Sequence, residues 1–262
     1  MAKVPKIIVL FWVVKVLTTG MGESMSDALG QWSVPIAGLI GIFGLSFALW
    51  LQLRTREYHA PIYWFAVMMV AVFGTMAADG VHDGASIPYA ITTPAFGAVT
   101  AAIFFLWYRS EGTLSIHTIT TRRRETFYWA AVLGTFALGT AAGDLTATSL
   151  GLGFLGSAVL FASLICLPAV AWWRGLLNPI AAFWIAYVIT RPLGASLADW
   201  LSKPPAISGL GLGDPTVSLL AFLVFATLVA YLAVTKVDIQ SATVEPAHAH
   251  APRELTTAVV KP

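Results

Sequence analysis

Charge is what this chain most lacks. Asp, Glu, Lys and Arg make up 11% of its 262 residues, against roughly 25% in soluble domains. So few charges cannot cover a water-facing surface, and 58% of the residues are hydrophobic; the class implied is a polytopic membrane protein. Fifteen basic and thirteen acidic residues leave a net charge of +2, too small and too scattered for a nucleic-acid binder. Cysteine is nearly missing as well. The single Cys166 excludes an internal disulfide and any thiolate metal cluster; it lies in an apolar stretch with no neighbouring His and reads as a core residue. There is no phosphate-binding glycine loop, no His-Glu-x-x-His helix and no haem-like His pair in facing spans, so no cofactor is expected. An ATP-driven pump is excluded unless a partner supplies the nucleotide domain.

What the chain does have is apolar length. A bilayer-crossing helix needs about 20 mostly apolar residues, and eight stretches come close: approximately 7–28, 34–53, 61–81, 90–108, 126–146, 151–173, 179–201 and 216–235. The joints differ in charge. Lys3 and Lys6 precede the first span, Arg54 and Arg56 follow the second, Arg109 and Arg122 to Arg124 lie between the fourth and fifth, Arg174 follows the sixth, and Lys236, Arg253 and Lys261 follow the eighth. The odd joints hold only Lys203. By the positive-inside rule both termini are cytoplasmic, which in a bacterial cell means a multi-pass protein of the inner membrane. The first run lacks a small-residue cleavage site and is read as a retained span. Residues 1–236 are expected to form one membrane domain. Residues 237–262 turn polar and proline-containing and are expected to be a disordered tail, in which His248 and His250 read as a solvated end.

One spacing recurs four times. An aromatic-Trp pair opens each odd span: Phe11-Trp12, Tyr63-Trp64, Tyr128-Trp129 and Phe183-Trp184. Ten residues after each Trp stands a glycine, Gly22, Gly74, Gly139 and Gly194, and fifteen after it an aspartate, Asp27, Asp79, Asp144 and Asp199. Each unit is then a hairpin of two spans, roughly 7–56, 57–109, 122–174 and 179–236, whose second span closes on an aromatic and basic end. Two-span units re-enter with the same orientation, so the copies are parallel repeats in a pseudo-fourfold bundle. Trp12, Trp64, Trp129 and Trp184 are expected to anchor the cytoplasmic interface. Fifteen residues of helix rise about 22 Å, which puts all four aspartates in the outer third of the membrane. An ionised side chain facing lipid there costs several kcal/mol, so the four are expected to converge on a common interior. The glycines and their small neighbours let the motif helices approach closely.

This organisation resembles a bacterial family of uncharacterised integral membrane proteins defined by a fourfold repeat of unknown function. The resemblance spans residues 7–235 and rests on the four Trp, Gly and Asp sets and on the stretch TRPLGASLADWLSKP at 190–204. It implies the eight-span all-α layout and brings no substrate or activity.

Departures from the repeat mark where a symmetric scaffold becomes specific. After the motif glycine the copies hold Glu23, Thr75, Thr140 and Ala195; Glu23 and Asp27, four apart, share one helix face. Seven residues after its Trp the fourth unit has Arg191, followed by Pro192. A guanidinium at that depth needs a partner, and if the ring closes Glu23 is the first candidate, with Asp199 or Asp27 next. Lys15 can snorkel to the cytoplasmic surface. Thr18, Thr135 and Thr190 are expected to bond their own preceding turns rather than line a path. His82 and Asp83 could recruit cations at the mouth or be ordinary loop residues. The aspartates themselves have a structural alternative, capping of the turns that follow them.

The leading functional expectation is a cation transporter or channel, not an enzyme. Its station would be Glu23, Asp27, Asp79, Asp144 and Asp199, with Arg191 limiting the net charge. Acidic rings select cations, and crowded carboxylates hold protons more tightly, so proton exchange is physically available. Hard oxygen ligands point to Mg, Mn or Ca rather than copper or zinc, while Met21, Met25 and Met76 keep softer ions open. The expected partners are therefore an inorganic cation or proton and the lipid bilayer; no protein partner is demanded. Two alternatives stand beside it. A non-catalytic assembly or sensing protein would use the basic segment 109–125. An intramembrane aspartyl protease is suggested by GLGD at Gly211 to Asp214, although Asp214 before Pro215 also suits an N-cap.

Overall fold

The computed structural model of the chain describes residues 3–240. Within them the protein is all-helical: α1 Val9–Trp32, α2 Val34–Arg54, α3 Ala60–Asp79, α4 Tyr89–Glu111, α5 Arg122–Asp144, α6 Gly153–Leu164, α7 Cys166–Trp173, α8 Pro179–Ser202 and α9 Asp214–Thr235. The expected sixth span is two helices meeting at Ile165, because Pro168 has no N–H for the Leu164 carbonyl and its ring crowds that turn. α8 opens on Asn178, whose Oδ1 accepts from Ala181 N at 2.8 Å, with Pro179 in the first helical position. α3 and α5 each pass into one π turn, Gly80–Gly84 and Leu145–Ser149, directly after Asp79 and Asp144.

Seven segments are long and apolar enough to cross a membrane: Val34–Arg54, Ala60–Gly84, Tyr89–Glu111, Arg122–Ser149, Gly153–Trp173, Pro179–Ser202 and Asp214–Thr235. This is a multi-pass membrane protein. α1 has the length but carries Lys15, Glu23 and Asp27, which dilute its apolar character. Large apolar side chains such as Phe43, Phe47, Phe105, Leu219, Leu223 and Trp173 face outward, a surface suited to lipid and not to water. Cys166 also faces outward, so it is not the core residue expected; its helix is peripheral and only the opposite side, at Pro168, is buried.

The four motif helices pack in a closed circuit, α1 on α3, α3 on α5, α5 on α8 and α8 on α1. The remaining helices do not pair chiefly within their own units, as the hairpin reading implied. α2 leans on α3, α4 on α5, α6 on α8 and α9 on α1, each on the motif helix of the next unit. The motif glycines set the closeness of the circuit. A Cβ at Gly22 would press into Ala71, at Gly74 into Phe136 Cβ at 2.7 Å, at Gly139 into Arg191, and at Gly194 into Thr19. Each of those neighbours stands three residues before the next motif glycine, so one contact is repeated around the bundle. In lipid, where apolar surface gains little by leaving the solvent, such backbone approach is a main source of helix association.

At the end of the bundle opposite the aspartates lies an aromatic layer. The four repeat dipeptides share one geometry, edge-on with centroids 5.1 to 5.3 Å apart and planes at 75 to 87°. The anchoring role expected of the Trp set is thereby corrected. Trp64, Trp129 and Trp184 are buried in protein, and Trp184 Nε1 donates to Leu114 O at 2.9 Å; Trp12 is half-buried. Lys15 does not snorkel either: it is 1% exposed. Its Nζ sits 4.2 Å from the Phe136 ring centroid and 4.3 Å from that of Tyr187, where the ring faces hold it. Residues 237–240, expected to open the tail, are docked: Asp238 accepts from Lys6 N at 2.7 Å and from the Tyr58 hydroxyl, and Gln240 Nε2 donates to Val4 O at 3.2 Å. His248 and His250 lie outside the described residues.

Candidate functional site

Each motif helix delivers its aspartate fifteen residues beyond its Trp, and the circuit turns the four toward one another. Asp27, Asp79, Asp144 and Asp199 line a single cavity of about 170 Å³ with Glu23, Tyr89, Asp83 and Lys203. The convergence expected from sequence is present. Asp199 is buried at 3% exposure, while Asp27, Asp79 and Asp144 are half-buried and face the opening. The capping alternative fails for Asp79 and Asp144, since neither side chain bonds the π turn after it. One carboxylate oxygen each from Glu23, Asp27 and Asp199 lies within 4.8 Å of the others, the spread that a hard cation with ligand distances of about 2.1–2.5 Å can bridge.

Beneath the cavity Arg191 fills the bundle axis with no solvent exposure. Its Nη2 faces Glu23 Oε2 at 2.6 Å, the Thr140 hydroxyl at 2.6 Å and the Thr75 hydroxyl, and its Nη1 donates to Thr19 O at 3.1 Å. Glu23 is thus the partner, as the neighbouring units one and four required. The residue after the motif glycine explains the rest: Glu23, Thr75 and Thr140 meet the guanidinium from three units, and the fourth unit has Ala195, which only leaves room. Thr18, Thr135 and Thr190 bond their own preceding turns at 2.5 to 2.7 Å.

Sequence reading missed Lys203 as part of the site. Its Nζ lies 2.5 Å from Asp27 Oδ2, 3.2 Å from Asp214 Oδ2 and 3.9 Å from Asp199 Oδ1. Burial works against the ammonium, but Asp27, Asp199 and Asp214 outweigh it and hold Lys203 above the usual lysine range. The signal was its position four after Asp199, as the one base in the odd joints. Asp214 is not the N-cap expected, because α9 starts on it and Gly213 precedes the helix. Its carboxylate accepts from Gln31 Nε2 at 2.5 Å and from Lys203, so it shares an ammonium where an aspartyl protease needs a shared proton. At the mouth, His82 stacks on Tyr89 at 3.6 Å and its Nδ1 meets Ile87 O at 2.8 Å. Asp83 stands beside it on the π turn, exposed and lining the opening.

The cavity is strongly acidic and closed on one side by Arg191 and its partners. Six acids line it against one lysine, with Arg191 beneath, and Asp79 and Asp144 have no basic group within 4 Å among the described residues. No curated protein and no solved structure matches the chain. A family model does, over residues 10–58, 62–113, 127–175 and 182–238, the same four units that the Trp, Gly and Asp spacing marks out. The chain belongs to the family described as "Repeat of Unknown Function (DUF347)".

Proposed function

We propose that the chain is a cation transporter: eight helices span the membrane as four parallel repeats in a pseudo-fourfold ring, with both termini cytoplasmic and the acid cavity open to the opposite side. Glu23, Asp27 and Asp199 are the primary ligands, with Asp79 and Asp144 as an outer pair that raises the local cation concentration. The observation that carries the reading is Asp199. Its side chain is buried in the cavity wall, and its Oδ1 has no hydrogen-bond donor, the nearest cation being Lys203 at 3.9 Å. A buried carboxylate oxygen left unbonded is costly, and an entering cation supplies the missing contact. The Arg191 knot below blocks the axis, which favours a gated carrier over an open pore. Glu23 belongs to both the knot and the ligand set, so a bound cation competes with the guanidinium for it. Oxygen-only ligands suit Mg, Mn or Ca; proton exchange fits the same crowded acids.

The direct test is flux in vesicles containing purified protein, with Mn, Mg and Ca offered separately. Asp27→Asn and Asp199→Asn are each expected to lower flux by about tenfold or more, the equivalent of roughly 1.4 kcal/mol of lost binding. Unchanged flux for all four single Asp→Asn variants removes the proposal. Lys203 gives a second test. Lys203→Gln deprives Asp27, Asp199 and Asp214 of their shared ammonium and is expected to cost about 1.5–3 kcal/mol without added metal. The raised pKa of Lys203 makes its own contribution full below the ordinary lysine value of 10.5 and lost as pH rises through the folded value, so its titration puts no slope on the loss across the neutral range. Added divalent cation should raise the thermal midpoint of this variant more than that of the wild type. Equal responses would place the cation elsewhere.

A further inference from the structure

The Trp end of the bundle carries a second cavity, of about 380 Å³, in which every charged lining group is a base: Lys3, Arg54, Arg56 and Arg122. Lys3 is already matched, with Nζ 2.6 Å from Glu125 Oε2, and Gln52 Nε2 donates to the other oxygen of that carboxylate at 3.1 Å. The neighbouring bases are also spent, Arg123 on Glu111 at 3.2 Å and Arg124 on Glu111 at 2.8 Å. Arg54, Arg56 and Arg122 have no carboxylate within 4 Å among the described residues. They come from three places in the chain: the last turn of α2, the joint after it, and the first residue of α5.

Topology accounts for basic residues at this end of the bundle, but not for three guanidiniums brought to one concavity without a counter-charge. All three are exposed, so water and salt screen part of their mutual repulsion, and an anion held between them removes the rest. The start of α5 adds the positive end of a 23-residue helix beside Arg122. Arg54 is further fixed by the Trp50 ring, 4.2 Å from its guanidinium carbon, and Trp50 is 47% exposed on the outward face of α2 along with Phe43 and Phe47. The cavity therefore stands where a lipid-facing helix ends.

We propose that Arg54, Arg56 and Arg122 form a binding site for a phosphate-bearing anion. Planar guanidiniums pair two at a time with phosphate oxygens, and three of them match a mono- or diester with its remaining oxygens. The ligand is a phospholipid headgroup or a free phosphate, and it ties the joint after α2 to the start of α5. Because it binds the folded protein, it stabilises it.

The test uses the full chain in nanodiscs, read as the thermal midpoint. One arm compares phosphatidylglycerol with phosphatidylcholine as the lipid; the other adds inorganic phosphate against chloride at equal ionic strength. An upward shift of several degrees is expected in at least one arm. The first arm alone identifies the lipid headgroup, and the second identifies free phosphate. The shift should vanish in the Arg54→Gln, Arg56→Gln, Arg122→Gln triple variant and persist in Arg123→Gln. Should the triple variant fail to fold, Arg56→Gln alone, on an exposed joint, is expected to halve it. No shift in either arm, or an equal shift in the variants lacking these arginines, overturns the site. Neither outcome bears on cation transport at the opposite end.

Discussion

Replacing Arg191 by methionine is expected to cost about 3–5 kcal/mol, a large share of the roughly 5–15 kcal/mol that typically holds a protein folded. The side chain has no solvent exposure, and it is the only cation on Glu23 among the described residues; the side chain of Glu23 is itself 4% exposed. Removal of Arg191 leaves a buried carboxylate whose remaining side-chain partner among the described residues is Thr75 at 3.2 Å, and takes the guanidinium away from the Thr140 hydroxyl. The double variant Arg191→Met, Glu23→Gln should recover a large share of the loss, since a neutralised pair costs less than a broken one. Arg191→Lys should not recover it, because one ammonium cannot reach acceptors on three helices. The measurement is thermal unfolding of the purified protein. A single variant as stable as wild type would show that the axial knot holds nothing together.

Gly194→Leu is expected to cost about 1–3 kcal/mol or more by overpacking. A Cβ there already runs into the Thr19 side chain and comes within 2.9 Å of Gly20 N, so the obstacle is backbone and cannot move aside. α1 and α8 must separate, and their contact is the one that closes the circuit. The comparison is Gly30→Ala, where nothing lies within 4 Å of the new Cβ, and which should change the midpoint little. Because separation also spreads Asp27 from Asp199, ion flux should fall along with stability.

Much of the site was legible because it is written in a period. A Trp, a Gly and an Asp at fixed intervals on four helices can share one depth only if the helices are equivalent, and oil then dictates that the acids face inward. Arg191 with Glu23 was legible for the same reason. Lys203 was not, since it lies one residue past its helix and its reach to Asp27 and Asp214 depends on how α8 ends beside α1 and α9. The Trp rings misled because interfacial aromatics and buried aromatics look alike in sequence; the partners that bury them come from other units. Lys15 misled likewise, since the rings of Phe136 and Tyr187 that hold it lie 121 and 172 residues away. The break at Ile165 was readable in Pro168, but the exchange of outer helices between units carries no local signature.

That exchange bears on biogenesis. Because α2, α4 and α6 each rest on the unit made after them while α9 returns to the first, the first motif helix keeps one flank bare until α9, the last helix among the described residues, arrives to cover it. The ring therefore has a seam, sealed late, between the α1 that carries Glu23 and Asp27 and the α8 that carries Arg191 and Asp199. Chains halted before α9 would hold Glu23, Arg191 and all four motif aspartates and lack the clasp.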